Sequence, residues 1–186
     1  MISMTTNSII HFIGFVTRLE SDKFIPAWEQ YAKKEMFRKR APLLLQQENG
    51  SRNKFNFLSL HIWPETETHF SFTKSDKAGY FHEMPVQVVH IGGYMPLEQT
   101  NTSLHKDMEC RLLVMAGHNE NDPAFYKTLP YSFRLNSYQA YYESCTYGYI
   151  FEYFAAEQEM EEIMNVLKQR AGTERILYKD CLAAHI

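Results

Sequence analysis

Apolar and polar residues along this chain form short blocks, most of them the length of a β-strand. The runs IIHFIGFV (residues 9–16) and FNFLSLHIW (residues 55–63) combine β-branched and aromatic residues, which favours buried strands. Apolar residues recur with helical spacing after Ser21, towards Arg40, and again over residues 156–170, which predicts two amphipathic helices. The remaining predicted strands are residues 43–48, 86–94, 110–117, 137–143, 147–154 and 175–183.

The predicted elements follow one order twice, with weaker helices at residues 66–77 and 122–129. Each half reads as strand, helix, strand, strand, helix, strand. A polar stretch, residues 97–108, separates residues 1–96 from residues 109–186. Two helices on one face of a four-stranded sheet leave its other face bare, and two such sheets can bury their bare faces together. The pattern predicts an α+β fold: two tandem ferredoxin-like (βαββαβ) halves forming a pseudo-dimeric α/β barrel.

Charge and cysteine content narrow the class of protein. The net charge is −3 with both signs mixed, which disfavours nucleic acid as a partner. Cys110, Cys145 and Cys181 are scattered and form no Cys-x-x-Cys pair, as expected for free thiols in a reducing compartment. No signal peptide is evident, and no apolar run approaches the roughly 20 residues of a membrane span. We expect a cytoplasmic protein without a membrane partner.

Strand parity suggests where a ligand could bind. Leu58, Leu60 and Ile62 share one face of their strand, which suits contact with helices. The opposite faces of three strands, assigned to the barrel interior, carry residues that could form an aromatic cavity with polar tips: His11, His61, Trp63, His90 and Tyr94. The alternative for each histidine is a hydrogen-bonded interior residue without a chemical role.

Local motifs for metal, phosphate or nucleophile chemistry are absent from the sequence. There is no His-x-His or His-x-x-x-His spacing, no glycine-rich phosphate loop before a helix, and no Gly-x-Ser-x-Gly elbow. The sequence therefore predicts no metal site.

The segment FNFLSLHIWPETETHFSFTKSDKAGYFHE (residues 55–83) resembles the dimeric α/β-barrel superfamily, specifically the antibiotic-biosynthesis-monooxygenase-like group that includes heme-degrading monooxygenases. Thr17-Arg18-Leu19 at the end of the first strand and the helix face around Trp28 add to the resemblance, which covers residues 9–95. The second half is similar in element order.

The resemblance implies roles for individual residues. His82 stands where heme-degrading members have their axial histidine, whereas Thr17 and Phe72 replace an Asn and a Trp of those members. Quinone-forming members of the group need no metal or flavin; they deprotonate an acidic aromatic substrate, and the carbanion reacts with oxygen. For this chemistry the resemblance implies His61 or His82 as the base. The implied pocket walls are Trp63, Phe72 and Tyr94.

The leading hypothesis is a cofactor-independent monooxygenase that acts on a small aromatic or polyketide-like substrate, with His61 and His82 as catalytic residues. One alternative is a non-catalytic protein that binds a small ligand or heme. The other is a structural or interaction protein whose barrel is packed with side chains. The expected partner is a small molecule, and a homodimer is compatible with the sequence.

Overall fold

The fold is α+β, a curled antiparallel sheet with helices outside it. The computed structural model describes residues 8–33, 43–47, 56–63, 86–97, 110–119, 122–129, 134–168 and 173–183, the last range by its backbone. The strands are β1 Ile9–Val16, β2 Leu43–Gln47, β3 Phe57–Trp63, β4 Gln87–Pro96, β5 Cys110–Ala116, β6 Arg134–Ala140, β7 Tyr149–Ala155 and β8 Thr173–Ala183. The helices are α1 Ser21–Ala32, a 3₁₀ helix at Pro123–Lys127, and α2 Glu157–Leu167.

The eight strands form a closed barrel in the order β1-β3-β2-β8-β5-β7-β6-β4, with every neighbouring pair antiparallel. The first four strands lie in the order β4-β1-β3-β2, and the last four repeat it as β8-β5-β7-β6. Two pairings join these sets, β2 with β8 and β4 with β6. Closure gives each strand a partner on both sides, so the barrel leaves no open sheet edge.

Side chains of the barrel strands point alternately inward and outward, and the apolar residues divide accordingly. The inner cluster includes Phe12 of β1, Leu58 and Leu60 of β3, and Tyr138 of β6. Two outer clusters fill the space between the barrel and the helices, one in each half of the chain. Both faces of the sheet are therefore buried, so the alternation of residues along a strand does not by itself show which face is the inner one.

In the first half, α1 packs on the outer surface of β1, β2 and β3. Phe24 and Trp28, one helical turn apart, point towards the sheet and are buried. The ring of Phe24 contacts Phe57 and Phe15, with centroid distances of 4.3 Å and 6.0 Å. Because Phe15 and Phe57 are direct register partners, the start of α1 lies over the end of β1.

In the second half, α2 and the 3₁₀ helix cover β5, β6 and β7. Met160, Ile163 and Leu167 form the buried stripe of α2 that the helical spacing predicts. Tyr126 of the 3₁₀ helix stacks on Phe151 at a centroid distance of 4.2 Å. The Tyr153 hydroxyl donates a hydrogen bond to the backbone oxygen of Tyr126 (2.7 Å), which fixes this helix to the sheet.

The predicted strands and both main helices are present, and the ends that the structure describes differ from the predicted ones by a few residues. The predicted continuation of the first helix towards Arg40 lies outside the described residues. The segment predicted as a short helix over residues 122–129 forms one 3₁₀ helix, which Asp122 caps by accepting the Phe125 N–H (3.2 Å). The helix predicted over residues 66–77 and nearly all of the proposed linker lie outside the described residues. Within the described part of the chain, no helix has the length and apolar character needed to cross a membrane.

Candidate functional site

The predicted orientation of β3 is wrong. Leu58 and Leu60 belong to the barrel interior, whereas Phe57 packs under α1. Since residues two apart share a face, Ser59, His61 and Trp63 follow Phe57 onto the outer, helix-covered surface. This surface is buried, so its aromatic and polar residues had suggested an interior position.

His11 lies on the same outer surface, because Ile13 and Phe15 of its strand pack beneath α1. Tyr94, in contrast, belongs to the inner cluster. The single interior cavity predicted from strand parity therefore does not form: His11, His61 and Trp63 lie outside the barrel, and Tyr94 lies inside it.

The barrel interior around Tyr94 is packed with aromatic rings. Phe12 contacts Tyr94 and Tyr138 edge to face, with centroid distances of 5.4 Å and 5.6 Å. The Tyr94 ring lies over Gly92, where an added Cβ would come within 2.6 Å of the ring. Burial, with Cys145 nearby, raises the pKa of Tyr94 well above its usual range. Tyr94 is thus a neutral packing residue in this barrel.

The connection between β6 and β7, residues 141–148, packs against the inner cluster. The Tyr141 N–H donates to the Gly93 oxygen (2.9 Å), and the Cys145 thiol donates to the same oxygen (3.6 Å). The imidazole of His118 hydrogen-bonds the backbone oxygen of Cys145 (2.6 Å). Tyr147 is buried beside them. This connection thus fastens the second half to β4 of the first.

The interior also holds a buried carboxylate that sequence reasoning missed. Glu152 is 3% exposed, and its Oε2 accepts hydrogen bonds from Asn136 Nδ2 (2.9 Å) and the Tyr138 hydroxyl (2.8 Å). Residues 136, 138 and 152 face inward by strand alternation, opposite to the residues that pack beneath α2. Glu152 is thus embedded in the wall between the packed rings, away from the outer surface that carries His61.

The outer surface of β1 and β3 carries a polar group that we call the Ser59–His61 pair. Ser59 Oγ and His61 Nε2 are 2.7 Å apart, and the two side chains are 0% and 1% exposed. His11 is the direct register partner of His61 and is 7% exposed. Trp63 pairs with Ile9 at the adjoining end. Two imidazoles, a hydroxyl and an indole therefore share one buried surface.

Burial lowers the pKa of His61 from 6.5 to about 3. The imidazole is consequently neutral at physiological pH, so it has one nitrogen that donates a hydrogen bond and one that accepts. A neutral imidazole can accept a proton or orient a polar group of a ligand. The Ser59 hydroxyl, two residues earlier on the same strand face, holds the Nε2 side of the ring.

Thr17 ends β1 at the edge of this surface. Its hydroxyl accepts the Leu19 N–H (3.1 Å), and its own N–H donates to the side chain of Asn56 (3.1 Å). The Thr17 side chain therefore shapes the turn that leads into α1.

The remaining predicted site residues stay predictions. His82 and Phe72 lie outside the described residues, and for His90 the backbone alone is described, opposite Gly14. Among the described residues no three His, Cys, Asp or Glu side chains converge as metal ligands. His11 and His61 fit an axial heme ligand poorly, because both are almost fully buried and His61 Nε2 already contacts Ser59.

Comparison with known proteins identifies the fold. No protein family and no curated protein match the sequence. A chlorite dismutase variant from Candidatus Nitrospira defluvii matches with a TM-score of 0.64 and 7% identity, over 97% of this chain and 93% of that chain. An anthrone oxidase-like protein matches with 0.58 and 10% identity, over 94% and 91%. A protein assigned as a monooxygenase from Fusobacterium nucleatum subsp. nucleatum matches with 0.55 and 13% identity, over 94% and 92%.

Proposed function

We propose that this protein, whose fold is that of the dimeric α/β-barrel superfamily, is a cofactor-independent monooxygenase for a small aromatic or polyketide-like compound. The site would lie between the outer surface of β1 and β3 and the elements covering it. The observation that carries the proposal is the buried Ser59–His61 pair with His11 opposite. The likeness to an anthrone oxidase-like protein and an assigned monooxygenase supports this substrate class.

In the proposed reaction, His61 accepts the proton of an acidic C–H group on the substrate. The carbanion then reduces dioxygen: a C–O bond forms, the O–O bond breaks, and a CH₂ group becomes C=O with release of one water. Substrate and dioxygen supply every atom and electron, so the balance needs no further redox partner. His82 remains an alternative base.

A pKa of about 3 makes His61 a weak base, since burial disfavours its cation. An anionic substrate beside the ring would favour that cation, because proton transfer then creates an ion pair. The site would therefore favour substrates whose anion is delocalised over aromatic rings. The Ser59 hydroxyl would hold the ring while the proton moves.

The proposal is tested by oxygen uptake and quinone formation with anthrone as the probe. A positioned general base contributes about 10²–10⁴-fold, so we expect a loss of that size in His61→Ala with a folded barrel. Tyr153→Phe, which removes a buried hydroxyl on the other helix-covered surface, is the matched control and should keep its rate. Wild-type protein that does not accelerate anthrone oxidation, or unchanged rates in both His61→Ala and His82→Ala, would contradict the proposal.

The alternative function is heme binding, with His82 as the axial ligand of the heme iron. Titration with hemin would then give a Soret band that His82→Ala loses.

The packed rings of Phe12, Tyr94 and Tyr138 favour the third hypothesis, a structural barrel, for the interior of the molecule. If a crystal structure of the ligand-free protein had no cavity beside His61, the outer surface of β1 and β3 would be structural as well.

We also propose that residues 1–96 and 109–186 are tandem ferredoxin-like halves joined by the linker 97–108, in a cytoplasmic protein. The repeated order of the two strand sets supports the duplication, and the free thiol of Cys145 suits a reducing compartment. Cleavage at a protease site inserted at residues 100–105 should leave two fragments that co-elute. Fragments that separate in native buffer would contradict a shared barrel.

A further inference from the structure

Trp28 of α1 has a buried hydrogen-bond donor that the packing alone does not explain. The residue is 1% exposed, and its Nε1–H makes no hydrogen bond within the described part of the structure. Buried donors in folded proteins are nearly always paired, and an unpaired one destabilises the fold. A phenylalanine would fill an apolar contact surface without this penalty. The indole N–H is therefore a candidate for a contact made when a ligand is present.

Trp28 packs on the same outer strand surface that carries the Ser59–His61 pair. Phe24, one turn earlier, lies over the Phe15–Phe57 register pair. One turn of helix advances about 6 Å, close to the span of two strand residues. Trp28 packs in the same cluster as Ile13, whose register partner is Ser59.

The chemistry of the indole restricts what it can bind. The Nε1–H is a donor only, so its partner must be an acceptor such as a carbonyl, enolate or phenolate oxygen. The neighbouring Phe24 and Phe57 rings offer an apolar wall for an aromatic framework. Because His61 is neutral, the site does not require a particular ligand charge, and the ligand can be neutral or negatively charged.

We propose that the Trp28 indole N–H donates a hydrogen bond to the ketone or enolate oxygen of the substrate while the Ser59–His61 pair faces its acidic C–H group. This rests on the proposed function and narrows its substrate class to aromatic ketones whose carbanion is delocalised onto oxygen. The bond strengthens as negative charge reaches that oxygen, so Trp28 stabilises the carbanion more than the ketone. Trp28 is thereby a specificity-determining residue of the site.

Two ligands that differ in the carbonyl group test the proposal. Anthrone has the ketone, and 9,10-dihydroanthracene has the same three-ring framework without it. Because the chain contains two tryptophans, Trp28→Phe assigns its indole signal in a ¹H–¹⁵N spectrum. Anaerobic titration of wild-type protein with anthrone should move the Trp28 indole proton downfield, and dihydroanthracene should not. Saturation with anthrone without that shift would overturn the proposal.

Affinity provides the second measurement. Trp28→Phe should lower the affinity for anthrone about 10-fold and leave that for dihydroanthracene within about 2-fold. Phe24→Leu, which disturbs the same cluster but keeps the indole, should weaken both ligands similarly. An equal loss of both ligands in Trp28→Phe would assign Trp28 a packing role and contradict the proposal. If Trp28→Phe fails to fold, Trp63→Phe assigns the two indole signals instead, and the wild-type titration still decides.

These outcomes separate the inference from the proposed function. An indole shift with anthrone but no oxygen uptake would retain the carbonyl contact and remove the monooxygenase activity. Quinone formation without an indole shift would retain the activity and remove the contact.

Discussion

The surfaces of the barrel that face the helices can be compared strand by strand, because the two halves share one strand order. On β1 and β3 the central outward pair is His11 opposite His61, next to Ser59. On β5 and β7, which occupy the same places in their set, the outward pairs are Leu112–Tyr153 and Val114–Phe151. Both surfaces are buried, but the first carries imidazoles and a hydroxyl where the second carries apolar and aromatic side chains.

This difference shows what each surface contributes. Apolar contacts on β5 and β7 stabilise the fold through burial. Buried polar groups on β1 and β3 lose hydration and require partners in return, so they stabilise the fold less than an apolar pair would. Departures of this kind from apolar packing are expected where a protein binds or reacts with something. This difference supports our proposal that the site lies in the first half and that the second half has a structural role.

The largest predicted effect is on the stability of the second surface. Phe151→Ala removes the ring that stacks on Tyr126, and truncation of a buried phenylalanine costs about 3–5 kcal/mol. The free energy of unfolding, measured by urea denaturation, should fall by that amount. The affinity of folded variant protein for anthrone should be unchanged. A small loss of stability with a large loss of affinity would reverse the roles of the two surfaces.

A smaller effect concerns pH and the first surface. The pKa of His61 is about 3 in the folded protein and 6.5 for an exposed imidazole, as in the unfolded chain. As the pH falls, the unfolded chain therefore binds this proton first. Stability from the neutral ring is present above pH 6.5 and is lost as the pH falls towards 3. Between pH 7 and pH 5 the loss is roughly 2 kcal/mol. His61→Gln should lack this component in paired urea titrations, and identical pH slopes in both proteins would contradict the assigned pKa.

The smallest predicted change in stability comes from Ser59→Ala, which should cost about 1 kcal/mol. Ser59 acts on His61, so turnover should fall about 10-fold and the ring-nitrogen chemical shifts of His61 should change. Ser59→Thr should restore part of both. Ser137→Ala, at a buried serine on β6 of the second half, is the control and should leave turnover unaltered. Equal turnover in the Ser59 and Ser137 variants would remove Ser59 from the site.

The main elements and the pairing of two sheets in one barrel could be predicted from the sequence, because β1 and β3 are compact apolar runs and α2 has a regular apolar stripe. The 3₁₀ helix at Pro123–Lys127 was predicted as a short helix, since a proline start favours either form. The sequence does not contain the local distances that decide between a turn of 3₁₀ and a turn of α-helix.

The candidate site was harder to predict because β3 is buried on both faces. The alternation of side chains along a strand separates its two faces, but it identifies the inner face only when the other face is exposed to solvent. Leu58 and Leu60 fit helices or barrel interior equally well, and they form the interior. The spacing Ser59-x-His61 did place both residues on one strand face, a signal that could have revealed their pair. The role of Trp28 required the observation of an unpaired buried donor.

The most direct test of a single site in the first half is the crystal structure of an anaerobic complex with anthrone. The ligand should lie between α1 and the outer surface of β1 and β3, with its acidic carbon facing His61 and its oxygen at Trp28 Nε1. Ligand density inside the barrel beside Tyr94, or between α2 and β7, would contradict the account.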